Sequence, residues 1–286
     1  MKKTILCHFY NEEWLLPWWL EHHKQIFDHG ILFDYDSTDR SVEIIKEICP
    51  TWEIVRSRNK LFQPAPVDHE VMEFEKSITG WRVALNVTEF MIGNYDHLDD
   101  TTNSVQYFLS QYMITDMERR DEPYFLDPTK PIWEQRRYGY APVNDFSRNQ
   151  SHGSVPRAPR SIHNHVIKYA SVGRHYPGKE QSFNDLTIFY CGNASMEEGS
   201  IKRKMQIQEK CPPGPYTNHR MELKQLLDRF RSEQQQLSYD VSGELKPYID
   251  AHNSWLARKH SAETNKTKEE IQSAMEALQT ALANIK

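Results

Sequence analysis

Short apolar runs alternate with amphipathic runs over the first 55 residues, and this alternation constrains the fold more than any other feature of the sequence. Runs of strand length, rich in Ile, Leu, Phe and Val, lie at residues 4–9, 30–33 and 52–55. Between them, apolar residues recur with helical spacing over residues 14–24 and 41–48. Two successive βαβ units are typical of a parallel sheet. We therefore predict an α/β fold with a mostly parallel central sheet flanked by helices.

The next part of the chain extends this pattern and then loses it. Residues 67–77 have helical spacing, and residues 81–85 form a fourth apolar run of strand length. From about residue 95 to 160 the periodicity is weak and six prolines occur, which is typical of binding loops or lids. Residues 166–172 and 186–190 are candidates for further strands.

The last part of the chain has the periodicity of helices. Apolar stripes cover residues 223–237, 245–256 and 271–285. Thr267 and Glu270 match a capping box, which predicts that the last helix begins there.

This change in pattern predicts two domains. The first is an α/β domain over residues 1–215, and the second is a helical C-terminal extension over residues 216–286. We expect the extension to pack on the sheet domain or on a second copy of the chain, as a homo-oligomer.

Composition narrows the class of protein. The formal net charge is −5, which disfavours a globally basic nucleic-acid binder, and no run reaches the roughly 20 apolar residues that span a bilayer. The chain turns polar too soon after Lys2 and Lys3 for a signal peptide, and its four cysteines form no CxxC pair. We therefore expect a cytoplasmic protein with reduced thiols, no transmembrane segment and no nucleic-acid partner.

Polar side chains follow three of the predicted strands. They are Asn11 and Glu12, the acidic stretch Asp34–Asp39, and the stretch Asn86–Glu89. Ligands of open parallel sheets bind at the carboxyl ends of the strands, so we expect these groups to meet at one crevice. The alternative for the acidic stretch is a structural turn in which Asp39 caps the next helix.

The order of these motifs resembles a family-2-like glycosyltransferase with the GT-A fold. Phe9–Glu13 resembles the opening motif of that family, and Phe33–Ser41 resembles its acidic strand end followed by Ser-Thr-Asp. Asn86–Phe90 falls where the family has Asp-x-Asp-Glu-Phe, and Ser195–Glu198 weakly resembles a later segment. The main resemblance covers roughly residues 4–93. It implies a Rossmann-like sheet and transfer of a sugar from a nucleotide-sugar donor to a glycan or related acceptor, as in glycan biosynthesis.

The resemblance also implies roles for individual residues. Asp34 would take the base, while Asp36 and Asp39 would hold the loop or reach the ribose. The full set of nucleotide-binding residues that it implies is Tyr10, Asn11, Glu12, Asp34, Asp36, Asp39 and Asn86.

The third motif departs from the family pattern. Asn86 and Thr88 replace the two aspartates that present carboxylates to a divalent cation, and only Glu89 keeps a charge. One interpretation is that Glu89 and His175 still hold Mn²⁺ or Mg²⁺. The other, which we favour, is weak or absent metal dependence, with the diphosphate neutralised by basic residues instead. The candidates for this role are Arg157, Arg160, Arg174 and Lys202. A third is that catalysis is lost, leaving a non-catalytic nucleotide-sugar or glycan-binding module.

An inverting transfer needs a general base near the acceptor hydroxyl. Asp116 is the first candidate because it follows an apolar run that we interpret as helical; Glu89 and His175 are the other catalytic candidates. Further acidic candidates in the same region are Glu118, Asp121 and Glu122. A retaining enzyme would not need the same base, so the sequence leaves both stereochemical outcomes open.

Two further groups of residues have alternative interpretations. His163, His165 and His175 could belong to a metal hydrolase or nucleotidyltransferase, although His163 and His165 would face opposite sides of a strand. Aromatic residues of the proline-rich region could stack on an acceptor sugar or anchor the loop. They are Trp133, Tyr138 and Tyr140.

Overall fold

In the computed structural model, the described residues are 1–99, 104–116, 125–140, 160–169, 173–174, 182–212 and 221–283. They form a mixed α/β fold around one large sheet. The strands are β1 (Lys3–Phe9), β2 (His29–Asp34), β3 (Glu53–Arg56), β4 (Trp81–Asn86), β5 (Glu89–Gly93), β6 (Gln106–Thr115), β7 (Tyr138–Tyr140), β8 (Arg160–His163), β9 (Ser182–Asn193) and β10 (Tyr239–Asp240). The helices are α1 (Leu16–His23), α2 (Ser41–Ile48), α3 (Pro64–Glu75), α4 (Glu198–Gln206), α5 (Leu223–Leu237) and α6 (Ser242–Ala283).

The centre of the sheet is the predicted set of parallel strands, in the order β3-β2-β1-β4. All seven residues of β1 are buried, because strands pair with both of its edges and side chains cover both of its faces. The register pairs Phe9 with Asp34 and His8 with Asn86. The carboxyl ends of β4, β1 and β2 therefore lie side by side, which confirms the predicted α/β organisation.

Helices cover the two faces of this sheet. Ile5 and Phe9 belong to a core that includes residues of α1, α2 and α6, with Trp19 completely buried. Leu6 points the other way, into a second core with Val71 of α3. The alternation follows from the period of two along a strand. Full burial of each such side chain stabilises the fold by about 1.5–3 kcal/mol.

The strands beyond β4 correct the prediction of an irregular region from 95 to 160. β6 runs through its beginning, in place of the helix that we predicted before Asp116. The side chains of Leu109, Gln111 and Met113 are buried in alternation, which is strand periodicity. β6 pairs with β7 and β8 in antiparallel fashion and with β9 in parallel fashion.

The two other predicted strands have different outcomes. Residues 186–190 lie within β9, as predicted. Residues 166–169 form no strand, which contradicts the prediction there, and 170–172 lie outside the described residues. The antiparallel partner of β4 is instead β8.

The C-terminal region contains one long helix where we predicted two. α6 has 42 residues, and the predicted capping box at Thr267 is wrong, because the Thr267 hydroxyl donates to the Glu263 carbonyl at 3.0 Å inside the helix. Along this stretch Lys266 and Glu270 form an exposed i,i+4 ion pair, 3.8 Å apart. Leu245 and Trp255 pack into the core, whereas the residues from 260 to 278 are exposed. The predicted domain boundary falls within residues 213–220, outside the described residues, and stays a prediction.

Two further observations concern the environment of the chain. All four cysteines are buried free thiols. Within the described ranges, none of the helices combines the length and the apolar character that a membrane crossing requires.

Candidate functional site

A cavity of about 280 Å³ lies at the carboxyl ends of β1 and β4, and we call it the strand-end cavity. Its walls come from the end of β1, the beginning of α3, the turn after β4, the turn at Gly173 and Arg174, β9, and α4. Four predicted site residues line it: Tyr10, Glu12, Asn86 and Arg174. Sequence reasoning missed other polar lining residues, which are His8, Asp68, Tyr190, Arg203 and Lys204. The cavity therefore occupies the edge of the sheet where we expected a ligand.

Arg174 is the central cation of this cavity. Its side chain is buried; Nη2 donates to Asn86 Oδ1 at 2.7 Å and Nη1 lies 3.0 Å from His8 Nδ1. The backbone of Arg174 has φ of 60°, a left-handed conformation that is uncommon for a residue other than glycine. Asp68 of α3 holds this turn by accepting the Gly173 N–H at 2.7 Å. Tertiary contacts thus fix the guanidinium in place.

His8 is a neutral imidazole in this arrangement. Arginine can only donate, so Nδ1 of His8 accepts from Arg174 and the ring proton lies on Nε2. Burial lowers the pKa of His8 well below its usual value, and the nearby Arg174 lowers this pKa further. Stacking on Phe33, with ring centroids 5.1 Å apart, holds the ring plane. His8 can therefore donate one N–H bond but carries no charge near neutral pH.

The second arginine of the cavity is paired. Arg203 Nη1 donates to Glu12 Oε1 at 3.0 Å, and both side chains are almost fully buried. Burial raises the pKa of Glu12, while Arg203 opposes that rise. Lys204 donates to Asn193 Oδ1 at 2.7 Å. These contacts attach α4 to the strand ends and leave the two basic side chains on the cavity wall.

Aromatic rings form another part of the wall. Tyr10 and Phe62 line the cavity, and the Tyr10 hydroxyl donates to Glu209 at 2.7 Å. Burial, with the Glu209 carboxylate, raises the pKa of Tyr10 to about 12, so the phenol stays protonated. Flat apolar rings beside donors and cations suit a ligand that has both a ring system and charged oxygens.

The acidic loop after β2 lies outside the wall of this cavity. Asp34 Oδ1 accepts the Ser37 N–H at 2.9 Å, and exposed Asp36 pairs with Arg56 at 2.8 Å. Asp39 accepts the N–H groups of Glu13 and Ser41 at 3.0 and 2.9 Å. The Ser41 contact lies at the start of α2, but the N-cap residue of that helix is Arg40, which makes no side-chain capping bond. The nucleotide roles of Asp34, Asp36 and Asp39 stay predictions.

Asn11 joins the two loops that follow β1 and β2. Its Oδ1 accepts the Thr38 N–H at 2.8 Å, and its φ of 51° is again left-handed. Its side chain lines a second, more open cavity of about 410 Å³, which is also lined by Lys202. Lys202 is exposed and pairs with Glu13 at 3.2 Å.

Glu89 and Arg160, two predicted site residues, are bound to each other. Arg160 donates to both carboxylate oxygens of Glu89 at 3.0–3.1 Å, and the Asn86 N–H donates to Oε2 at 2.8 Å. Arg160 also donates to the Gly173 carbonyl. Both side chains are buried. Glu89 therefore holds the turn after β4 through its bond from Asn86. It also connects this turn to β8 through Arg160.

Asp116, the first candidate for a general base, is also buried in an ion pair. Its Oδ1 lies 3.3 Å from Arg136 Nη2, and its Oδ2 accepts the Met196 N–H at 3.1 Å. It is not a lining residue of the strand-end cavity. The remaining candidates, His175, Arg157, Glu118, Asp121 and Glu122, lie outside the described residues.

The aromatic and histidine candidates lie mainly in the core. Trp133 is buried against His22, with ring centroids 4.5 Å apart, which favours loop anchoring over sugar stacking. Tyr138 and Tyr140 are half-buried in β7. His163 Nδ1 lies 2.7 Å from the His165 carbonyl. In the part of the chain that the structure describes, no cluster of three His, Cys, Asp or Glu residues is arranged to hold a metal ion.

Comparisons with known proteins give distant structural similarity alone. No family model matches the sequence, and no curated protein matches it. A crystal structure of residues 1–349 of TarS from S. aureus has 11% identity and a TM-score of 0.39, covering 82% of this chain and 73% of that one. The same TarS fragment in complex with UDP-GlcNAc has 13% identity and a TM-score of 0.39, with 89% and 78% covered. HddC from Yersinia pseudotuberculosis has 10% identity and a TM-score of 0.28, with 41% and 62% covered.

Proposed function

We propose that this chain is a glycosyltransferase that moves a sugar from a nucleotide-sugar donor to a glycan or related acceptor. The observation that carries the proposal is the strand-end cavity. It combines aromatic walls at Tyr10 and Phe62 with the buried guanidinium of Arg174 and the carboxylate of Asp68. It lies at the carboxyl ends of parallel strands, where open α/β sheets bind nucleotides.

Each part of a nucleotide sugar has a counterpart in this cavity. A base suits the aromatic rings, and a diphosphate suits Arg174 and Lys204. Asp68 Oδ1 has no hydrogen-bond partner among the described residues and suits a ribose or sugar hydroxyl, which can donate to it. From the resemblance, we also propose that Asn11, Asp34, Asp36 and Asp39 contact the nucleotide. These four residues lie in the loops after β1 and β2, outside the wall of the strand-end cavity.

The chemistry needs two kinds of help from the chain. Negative charge accumulates on the departing nucleoside diphosphate, and fixed cations at that position stabilise the transition state. The acceptor hydroxyl loses a proton, for which Asp116, Glu89 and His175 stay the proposed candidates. In the structure Asp116 and Glu89 are ion-paired, so either would act only after release from its arginine.

A second candidate function is a non-catalytic module that binds a nucleotide sugar or glycan. It is favoured by Asn86 and Thr88, which stand where the resembled family has two aspartates. The two functions share the strand-end cavity and differ in turnover.

One experiment separates these functions. The full chain is incubated with a panel of UDP-, GDP- and dTDP-sugars, with and without a glycan acceptor panel, and release of nucleoside diphosphate is measured alongside calorimetric binding. Release that increases with an acceptor is the expected result. Tight binding without release for every pair supports the module. Absence of binding across the panel contradicts both functions.

A further inference from the structure

The resembled family implies a divalent cation at the turn after β4, and the residues present do not fit one. Asn86 is neutral, and its Oδ1 already accepts from Arg174. The carboxylate of Glu89 accepts three bonds from Arg160 and one from the Asn86 N–H. Hard cations such as Mg²⁺ and Mn²⁺ prefer carboxylate oxygens, and here those oxygens are already satisfied. A guanidinium beside them adds repulsion for a second cation.

Arg174 has no carboxylate in direct contact with its guanidinium, although Asp68 and Glu89 lie near enough to act on its charge. Among the described residues it has no ion pair within 4.0 Å, and its two side-chain partners, His8 and Asn86, are neutral. Arg203, the other arginine of the cavity, is paired with Glu12. A buried guanidinium without a directly bonded carboxylate is only partly compensated, so a cavity lined by one is suited to an anion.

Hydrogen-bonding capacity points the same way. Three residues that line the cavity each have a buried N–H donor without a partner among the described residues; these donors are His8 Nε2, Arg174 Nε and Arg203 Nε. Buried donors are satisfied in the great majority of cases, so a ligand rich in acceptors suits these three. A diphosphate has several acceptor oxygens and a negative charge, which match both requirements.

We infer that the Arg174 cluster, which consists of His8, Asn86 and Arg174, binds the diphosphate of the nucleotide directly and does so without a divalent metal ion. Arg174 supplies the charge, and His8 donates its Nε2–H to the same anion. The inference deepens the proposed function by naming the group that holds the leaving diphosphate. It also stands apart from that function, because diphosphate binding is measurable without turnover.

In this cluster Asn86 orients the guanidinium of Arg174 without neutralising its charge. An aspartate at position 86 would form an ion pair with Arg174, 2.7 Å away, and would neutralise the charge that attracts the anion. The neutral amide orients the guanidinium without this neutralisation. Restoring the family's aspartate should therefore weaken anion binding in this chain, whereas at a metal site it should strengthen metal-dependent binding.

The test is calorimetry of UDP and inorganic pyrophosphate with the full chain, in EDTA and in Mg²⁺ or Mn²⁺. For the unmodified chain we expect affinities in EDTA within about twofold of those with metal. Arg174→Gln and Asn86→Asp should each weaken binding by about tenfold or more in EDTA, and His8→Gln by several-fold. Arg231→Gln is the matched control, because Arg231 lies on the exposed face of α5 and should leave affinity unchanged.

Two outcomes would overturn the inference. One is loss of UDP and pyrophosphate binding in EDTA with recovery in Mn²⁺; the other is tighter metal-dependent binding by Asn86→Asp. If a thermal melt shows that Arg174→Gln does not fold, Arg174→Lys replaces it as a variant that keeps the charge. The Asn86→Asp result then decides whether the inference holds. Metal-free pyrophosphate binding without turnover of any nucleotide sugar would uphold the cluster and remove the proposed function. Turnover that requires a metal ion would uphold the proposed function and overturn the inference about the cluster.

Discussion

At the scale of single residues, the structure shows which arginine pairs with each of three buried carboxylates. The sequence predicted only which element each of them follows. Glu89, Glu12 and Asp116 each lie in a buried ion pair with an arginine from a distant part of the chain. A sequence pattern shows that a carboxylate follows a strand, but it does not show which cation will lie against it. Four of the predicted site residues, Glu12, Glu89, Asp116 and Arg160, belong to these pairs. The strand-end cavity also contains polar residues that no motif marked, such as His8 and Asp68.

The Glu89–Arg160 pair should be important for folding. Glu89→Gln leaves the buried guanidinium of Arg160 without its counter-charge, and we expect a loss of about 3–5 kcal/mol in the free energy of unfolding, measured in urea. The double variant Glu89→Gln with Arg160→Met should recover part of that loss, because it removes the uncompensated charge. A Glu89→Gln change within about 0.5 kcal/mol, the range of ordinary surface substitutions, would contradict this account.

Asp34 tests the predicted nucleotide role against a purely local one. Asp34→Ala removes the acceptor for the Ser37 N–H and any contact with a base, so we expect UDP affinity to fall by about tenfold, a loss of about 1.4 kcal/mol of binding free energy. Asp34→Asn keeps an acceptor oxygen for the turn and removes the charge. If the carboxylate recognises the base, the asparagine variant also binds weakly; if only the turn matters, it binds normally. Unchanged affinity in Asp34→Ala would mean that this loop does not serve the nucleotide.

At the scale of elements, α1 and α6 meet through buried histidines. His22 and His23 of α1 pack with ring centroids 4.6 Å apart, and His252 of α6 lies 5.0 Å from His22. Tyr95 lies beside His252, with its hydroxyl 3.0 Å from Nδ1. Burial lowers the pKa of His23 to about 3 and of His252 to about 4, and it lowers the pKa of His22 as well. The junction therefore requires neutral rings.

This junction predicts a loss of stability in acid. Groups whose pKa is lower in the folded chain stabilise it above their unfolded pKa, about 6.5 for histidine, and this stabilisation is lost as the pH falls towards the folded pKa. Each histidine should contribute a slope of about 1 kcal/mol per pH unit between pH 6 and 4.5, with stability rising as the pH rises. Urea unfolding of His252→Gln across this range should show a slope smaller by that amount. An unchanged slope would mean that the pKa of His252 is the same in the folded and the unfolded chain.

The elements also show how far periodicity carries a prediction. The parallel strands β1–β4 and helices α1–α3 agree with the sequence pattern, and β1, β2 and β4 are buried over most of their length. β6 was predicted as a helix, since Gln111 is a polar residue at a buried position and breaks the apolar alternation of Leu109 and Met113. The long α6 was predicted as two helices because its exposed middle lacks the apolar residues that mark a helix face.

At the scale of the whole molecule, the strand-end cavity is assembled from segments far apart in sequence. β1, α3, the Gly173–Arg174 turn and α4 each contribute part of the wall. The sheet brings these segments together. β4 pairs with β1, β8 lies between β4 and β6, and β9 pairs with β6. Arg174 therefore reaches the cavity wall only when all of these segments are folded together.

The C-terminal half of α6 allows a test of the predicted homo-oligomer. Residues 265–278 are exposed, including Ile271, Met275 and Leu278, so they bury almost no surface within the described chain. A chain that ends at Thr264 should keep its thermal midpoint to within about 2 °C if these residues have no partner. A larger drop, together with a lower mass by light scattering, would show that a second copy covers them and would confirm the predicted self-association.

The sequence by itself determined the βαβ core, the edge of the sheet where polar groups collect, and the absence of carboxylates at Asn86 and Thr88. These follow from local periodicity and residue chemistry, which act over a few positions along the chain. Only the tertiary structure decided which cation stands beside Asn86, which carboxylates are neutralised, and which donors line a cavity. Those outcomes depend on long-range packing: Arg174 lies 88 positions from Asn86, and its burial beside neutral partners is set by the sheet, α3 and β8 together.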